Sequence, residues 1–413
     1  DATPYGKDPI KELAQACKRH GLKLGFYYSQ SQDWHEKDAL GNDWDFDENE
    51  RDFSKYLHEK AIPQVKEILT QYGDIGLIWF DTPHGISEED VLKLKNLVEE
   101  LQPNCLINSR IGQGLGDFET LGDSQIPDHM MEGLWESIDT HNNSWAYSVL
   151  DNNWKTDTEI IDKFIRVLCK GGNFMFNIGP KGDGSIPEES STILREVGKW
   201  VHRNAEAIYE SHPVDMGNQV WIEATQKPGK TYLFIRDWPT DGRVWLPGLT
   251  GNIERASFLV NDQPLNLAQS GENQFLQVPS ISPDPKATVI VLEHRSPISF
   301  KAKQWVVSSA TNELLPVKGD RKGVEYTEKV RWMEIFGDWQ HYPILHAWEK
   351  KGSSAEWEFY TPEAGQYILE IEYSCDLDSD LKEGLIGVDG DMRTFVPVYT
   401  GDTWDQAESD ILR

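Results

Sequence analysis

The sequence predicts an α/β chain: a (β/α)₈-type barrel lacking its N-terminal part, followed by all-β sandwich domains. Three observations carry that prediction. Helical and strand patterns alternate from residue 8 to about residue 211, which is the order of parallel β/α units. Only about five strands fit this stretch, whereas a closed barrel has eight and typically needs about 250 residues. After Ser211 the pattern changes to short β-branched and aromatic runs between Gly, Pro, Asn and Asp turns, as in β-sandwiches. The opening Asp1-Ala2-Thr3-Pro4-Tyr5 reads as a strand-to-helix loop whose strand lies upstream. The expected organisation is a barrel over 1–211, a sandwich over 212–297 and an additional β-rich module over 298–413.

Asp8-Pro9 opens a helix with Pro at its first position and Ile10, Leu13, Ala14 and Cys17 on one face, until Gly21 stops it. Leu22 to Ser29 follows as a strand. A long helix is expected from roughly Glu50 to Tyr72, with Phe53, Tyr56, Leu57, Val65, Ile68 and Leu69 as its apolar stripe. It feeds Gly76-Leu77-Ile78-Trp79-Phe80-Asp81-Thr82-Pro83, an apolar strand that ends abruptly in a carboxylate and a turn. Ser87 caps the next helix, which carries Val91, Leu94, Leu97, Val98 and Leu101. Strands at Cys105–Arg110 and near Met131–Glu136 come next, then a helix around Thr158–Lys170 ending at Gly171-Gly172. A strand over Asn173–Ile178 and a helix from Pro187 complete the first region. Further strands are expected over Thr231–Arg236, Arg243–Leu246, Ala256–Val260 and Thr288–Leu292. In the third region they fall over Gly337–Tyr342, Ala355–Tyr360 and Gln366–Tyr373, with no domain-closing feature at Ile411-Leu412-Arg413.

The 413 residues exceed one ordinary core, so two or three domains are expected. The 40 Lys plus Arg against 69 Asp plus Glu give a formal charge of −29, which argues against nucleic acid, anionic membrane surfaces and polyanionic substrates. Sixteen Trp, fourteen Tyr and fifteen Phe suit stacking on the C–H faces of sugars, although large β-rich cores also use aromatics. Cys17, Cys105, Cys169 and Cys375 match no zinc or redox spacing and read as thiols rather than disulfides. No apolar run approaches the roughly 18 residues of a membrane-spanning helix, so no membrane insertion is expected. No signal peptide is present, and since the first residues read as mid-domain, this says nothing about export.

Chemistry in parallel β/α architectures sits at the C-terminal mouths of strands, which makes Asp81 the first candidate; capping the turn that follows is the plain alternative. Arg110, at another strand mouth, would steady Asp81 or a sugar hydroxyl, or pair structurally with a nearby carboxylate. Gly171-Gly172 and the later run Gly179, Gly182, Gly184 look superficially like a phosphate loop. They lack the Gly-Lys-Ser/Thr that opens a helix, and the first pair precedes a strand, so they read as shaping a tight loop at the barrel rim. No metal-ligating constellation appears.

Several motifs together resemble the α-L-fucosidases of glycoside hydrolase family 29. They are Tyr27-Tyr28-Ser29 with Asp33-Trp34, Leu77-Ile78-Trp79-Phe80-Asp81, Asn108-Ser109-Arg110, Trp135-Glu136 followed by Ser144-Trp145-Ala146-Tyr147, and the run from Gly171 to Gly184. Their order and spacing match over residues 1 to about 295. The resemblance implies a retaining exo-enzyme with two carboxyl groups about 5 to 5.5 Å apart, Asp81 as nucleophile, and no cofactor or metal. It implies an acid/base on the loop from Gly116 to Pro127, where many relatives carry Thr-Pro-Glu and this chain has Leu121-Gly122-Asp123. Asp123 is the carboxyl group nearest that position; Glu136 is its rival and Glu119 a distant third. A solvated turn is the alternative for Asp123, and a buried carboxylate paired with Arg110 is the alternative for Glu136. Tyr28, Trp79 and Trp145 match pocket positions that would hold the sugar ring and its C5-methyl, though each could be core. Trp34 and His35 lie on a loop as further candidate substrate contacts, an exposed loop histidine being the alternative for His35. The His-rich sugar contacts that the family draws from its first barrel strands are absent here.

The expected function is release of terminal α-L-fucose from fucosylated oligo- or polysaccharides by double displacement, with a fucosylated glycan as partner. Two other readings stand beside it. One is a glycan-binding protein on the same scaffold, favoured by the altered loop and disfavoured by the intact Asp81. The other is a retaining glycosidase for a related sugar such as a galactoside. The third module would bind sugars or brace the barrel, and the substrate class points to an extracellular or periplasmic bacterial setting. Linkage preference and oligomeric state are not encoded legibly.

Overall fold

The computed structural model of the protein describes residues 5–301, 303–333, 338–348, 350–379 and 382–400, with side chains described for all of these except 329–333 and 338–340. Residues 1–4, read above as part of a loop, and Ile411-Leu412-Arg413 lie outside the described residues. Helix α1 (Pro9–His20) begins where the Asp8 side chain accepts from the Lys11 N–H and ends at Gly21, the pattern that orphaned helix-end groups demand. Strands β1 (Leu24–Ser29), β2 (Ile75–Asp81) and β3 (Leu106–Ile107) then form a parallel sheet in that order.

The long helix expected between β1 and β2 runs unbroken over residues 53–71, with a π turn (Leu57–Ala61) between α2 (Phe53–Tyr56) and α3 (Ile62–Gln71). Pro63 has no N–H to return to Glu59, and the widened turn, with Ile62 N–H reaching the Leu57 carbonyl, accommodates it. Helix α4 (Glu88–Leu101) is capped by Ser87 as expected. The strand foreseen over 105–110 is cut to β3 because Asn108 takes over the pairing with its side chain. Its amide accepts from Phe80 N (2.8 Å) and donates to Phe80 O (3.0 Å). Ile78, Phe80 and Ile107 pack with Val65, Leu69, Val91, Leu94 and Val98 in one core between sheet and helices.

A second parallel sheet holds β4 (Glu119–Thr120), β5 (Trp135–Thr140) and β6 (Asn173–Asn177), and a parallel bridge from Asn108 to Phe118 links it to the first. The parallel strands thus number six among the described residues, with β1 and β6 at the outer edges. The extra one is β4, hidden in the loop from Gly116 to Pro127. Strand β5 starts where the sequence reading had its strand ending, so Glu136 is a second residue within a strand and not a strand end. All six β5 residues are buried although Glu136, Ser137, Asp139 and Thr140 are polar, and this leaves no apolar run to read. Helix α5 (Asp157–Leu168) starts at a capping box of Thr156 and Glu159; α6 (Glu188–Arg203) and α7 (Ala205–Ile208) follow β6.

Eight antiparallel strands come next: β7 (His212–Val214), β8 (Ile222–Lys227), β9 (Lys230–Ile235), β10 (Arg243–Trp245), β11 (Arg255–Phe258), β12 (Pro264–Ser270), β13 (Asn273–Gln277) and β14 (Thr288–Glu293). Their order is β10-β13-β12-β11-β14-β9-β8-β7. Strand β12 pairs with β11 through its first residues and with β13 through the rest. Leu233, Ile235, Ile290 and Leu292 join Val244, Trp245 and Leu276 in a sandwich core that extends to Ile298, Trp305 and Val307. The alternate residues of the same strands, Tyr232, Phe234, Val289 and Val291, pack on Ile161, Ile165, Cys169 and Trp200 of the α/β region. Burial on both faces is why β9 and β14 read as continuous apolar runs.

The third region consists of two-stranded antiparallel pairs: β15 (Asp320–Lys322) with β18 (Ser354–Glu356), β16 (Glu325–Met333) with β17 (Asp338–His346), and β19 (Gly384–Val388) with β20 (Asp391–Phe395). Residues 366–372, expected as a strand, have no strand assignment, and Ile368 is 89% exposed. Alternation alone does not make a strand where no second layer covers its apolar side. All four cysteines are free thiols, with Cys105, Cys169 and Cys375 buried. Among the described residues no helix is long and apolar enough to cross a membrane.

Candidate active site

Asp81 is the last residue of β2, at the C-terminal end of the parallel sheet. Parallel register sets Tyr27 beside Trp79 and Ser29 beside Asp81; with the two-residue period of a strand, these four share the face turned away from the helices. The Tyr27 hydroxyl donates to Asp81 Oδ2 (2.7 Å), Arg110 Nη1 donates to Oδ1 (3.1 Å), and the Asp81 N–H donates to Gln30 Oε1 (3.0 Å). Gln30 is fully buried and also donates to the Arg110 carbonyl (3.0 Å), tying the two residues together through their backbones. Directly after Asp81, Thr82 has φ 52. A β-branched residue in the left-handed region is strained, and such strain persists where the surroundings over-determine it. Here Thr82 Oγ1 is bonded to both Ser29 Oγ (2.6 Å) and the Asp81 carbonyl (2.8 Å).

Arg110 is the hub. It lies in a short 3₁₀ turn after β3, and besides Asp81 its Nη2 donates to Asp123 Oδ1 (2.5 Å) and to the Leu121 carbonyl (2.9 Å). Its guanidinium sits 4.8 Å from the Trp79 ring centroid, a cation–π distance. Trp79 in turn stacks on Tyr27 (5.5 Å, 23°) and donates from Nε1 to Glu136 Oε1 (2.5 Å). Thr120 Oγ1 donates to the same oxygen (2.7 Å). Burial pulls the Arg110 pKa down, but Asp123 and Asp81 outweigh it and hold the cation more firmly than usual. Burial pushes Glu136 above the ordinary carboxyl range despite its two donors and the charge of Arg110. Tyr27 is raised by burial and by its bond to Asp81, so it stays a phenol that donates.

Asp81, Asp123, Glu136, Trp79 and Arg110 are therefore brought into one connected group, and Arg110 spans the two aspartates rather than pairing with Glu136. Tyr28 is not in it. Its side chain lies on the helix face of β1, where the hydroxyl donates to Gln64 of α3 (2.8 Å), one residue out of phase with Tyr27. Trp34 lies on the loop after β1, 61% exposed, with its ring edge against Trp44 (5.7 Å, 77°); neighbouring His35 only donates its N–H to Asp33. Trp145 is half-buried on the loop after β5, its carbonyl held by Asn177 at the end of β6 (2.6 Å). Glu119 is exposed on β4. Gln30 was missed, and Tyr27 and Asn108 stood in the quoted motifs without a role of their own. Tyr27 was findable from strand alternation, given the register against Asp81, whereas Gln30 and Asn108 act through backbone contacts that leave no pattern. Among the described residues no group of three or more His, Cys, Asp or Glu could hold a metal ion.

The chain is similar to known proteins. The human plasma α-L-fucosidase is 28% identical over 290 residues, covering 65% of this chain and 61% of its own length, so the chain spans about three-fifths of the curated relatives it matches. The crystal structure of an α-L-fucosidase from Vibrio sp. strain EJY3 is similar with a TM-score of 0.72 at 25% identity, over 98% of this chain and 71% of that one. α-L-Fucosidase isoenzyme 1 from Paenibacillus thiaminolyticus is 32% identical with a TM-score of 0.65, over 70% of this chain and 76% of that one. The Alpha-L-fucosidase family profile matches residues 1–206, the stretch that contains every residue bonded to Asp81 or Arg110. With that profile and the Paenibacillus structure in agreement, the chain belongs to the α-L-fucosidase family.

Proposed function

We propose that the protein is a retaining exo-α-L-fucosidase that removes terminal α-L-fucose from fucosylated glycans. The observation that carries this reading is the single guanidinium of Arg110 between Asp81 and Asp123 (3.1 and 2.5 Å). It ties two carboxyl groups to one cation at a strand mouth, and a double displacement uses two carboxyl groups. Asp81 Oδ2 attacks the anomeric carbon as the glycosidic bond breaks, forming a glycosyl ester, while Asp123 gives its proton to the leaving oxygen. Arg110 holds Asp123 by Oδ1, so in this reading Oδ2 is the oxygen that passes the proton. Water then attacks the ester, Asp123 takes a proton from it, and fucose leaves. Trp79 and Tyr27 form the aromatic wall, fixed by Glu136, which acts as an anchor and not as a proton donor. The barrel architecture and the extracellular or periplasmic setting belong to the same proposal, the latter from substrate class alone.

The test is turnover of 4-nitrophenyl α-L-fucoside. Asp81→Ala is expected to abolish it, by about 10⁴-fold or more. Asp123→Ala is expected to slow it and to regain rate with azide, giving a fucosyl azide product. A wild-type protein that binds fucose without hydrolysing any aryl fucoside would make it a binding protein instead.

A further inference from the structure

The loop that carries Asp123 is held from both sides. On the barrel side Leu121 N–H donates to Glu136 O, Ser124 N–H to Ile138 O (2.9 Å), and Ser137 Oγ to Gln125 O (2.6 Å). Asp123 occupies the second position of a tight turn, closed by Gln125 N–H to Gly122 O (3.0 Å), with Ser124 at φ 60. The opposite side is covered by the β16–β17 pair, more than 200 residues later in sequence. His341 Nε2 meets the Asp123 carbonyl (2.6 Å), and His341 Nδ1 lies 3.0 Å from Glu328 Oε1. Glu328 Oε2 accepts from Gln125 Nε2 (2.8 Å), and Gln125 Oε1 accepts from Gly122 N–H (2.9 Å). The contacts form a ring: Asp123, His341, Glu328, Gln125, Gly122 and back. Gly122 admits the imidazole, since a Cβ there would stand 3.0 Å from His341 Cε1. The His341 side chain is only 11% exposed.

We propose that His341 and Glu328 are positioning residues for Asp123, so that the C-terminal β module completes the active site instead of merely bracing it. The inference rests on Asp123 as acid/base. A carbonyl anchored on the turn's own apex residue restricts where that carboxyl can point, and proton delivery tolerates little misplacement. The effect belongs to the bond-breaking step and grows with the leaving group's need for a proton. 4-Nitrophenolate leaves readily without one; phenolate does not.

The experiment measures kcat/KM for 4-nitrophenyl and phenyl α-L-fucosides on wild type, His341→Leu, His341→Gln, Glu328→Ala and Asp123→Ala, with a thermal unfolding midpoint for each. His341→Leu is expected to lose about 10- to 100-fold on the phenyl fucoside, and far less on the nitrophenyl one. His341→Gln, whose amide can still donate to the Asp123 carbonyl, is expected to recover most of the loss. Glu328→Ala should show the same selectivity in weaker form, and it carries the test if His341→Leu does not fold. Equal losses on both substrates, no loss in either module variant, or failure of Gln to rescue a folded Leu variant would each overturn the proposal. If Asp123→Ala itself lacks leaving-group selectivity, the fault lies in the acid/base assignment, and the positioning role falls with it.

Discussion

Glu136 is 6% exposed, accepts two hydrogen bonds on one oxygen and holds Trp79 in place. Burial raises its pKa above the ordinary glutamate value of 4.5. The folded protein therefore keeps this proton to higher pH than the unfolded chain does, and stability falls as pH rises from about 4.5 through the raised value. Glu136→Gln keeps an oxygen for Trp79 and Thr120 but cannot ionise. Its thermal midpoint is expected to match wild type near pH 4 and to exceed it at pH 7. Activity on 4-nitrophenyl α-L-fucoside should survive; a collapse, rescued by azide, would move the acid/base role from Asp123 to Glu136. Asp81 was legible because an apolar run that stops at a charge is a strand mouth; Trp79 came from the resemblance, and Arg110, expected at a strand end, stands in the 3₁₀ turn after β3. Tyr27 and Tyr28 were not separable by type, since adjacent tyrosines differ only in which face of the strand they take, and a one-residue slip exchanges pocket for core.

At the scale of elements, ends were easier to read than interiors. Asp8 and Ser87 each cap the helix they were expected to open, because the cap satisfies donors that nothing else can reach, whereas the Thr156 cap lies just ahead of the start expected near Thr158. Strand β5 was shifted by several residues, since buried polar side chains satisfied by one another look like a loop in sequence. The Gly171-Gly172 pair was read as a shaped turn, and the second glycine has a packing reason: a Cβ there would run into the Trp135 ring. Trp135 is buried at 1% exposure beneath the start of β6. Gly172→Ala is expected to cost about 1–3 kcal/mol as an overpacked site, measured by urea unfolding, and to lower activity only through the displaced β5. An unchanged midpoint would mean the ring moves freely aside.

For the whole molecule, the sequence divided the chain at 211 and 297, yet packing crosses both positions. Ile298, Trp305 and Val307 belong to the sandwich core, and β9 and β14 give one face to that core and the other to α5 and α6. The reach of His341 to Asp123 was equally invisible, because no local pattern encodes a contact 218 residues away. One consequence of the doubly covered strands concerns the exchange of backbone protons with solvent. Strands β9 and β14 pair with each other and are flanked by β8 and β11, so their amides can reach water only when sandwich and α/β region open together. Deuterium should enter residues 230–235 and 288–293 last, and the exposed β19–β20 ribbon first, in exchange followed by mass spectrometry. Equal rates in these segments would contradict it. No candidate catalytic residue lies in the slow sheet, so the molecule's most persistent structure is remote from its chemistry, and the strand mouths around Asp81 can breathe while the chain as a whole stays folded.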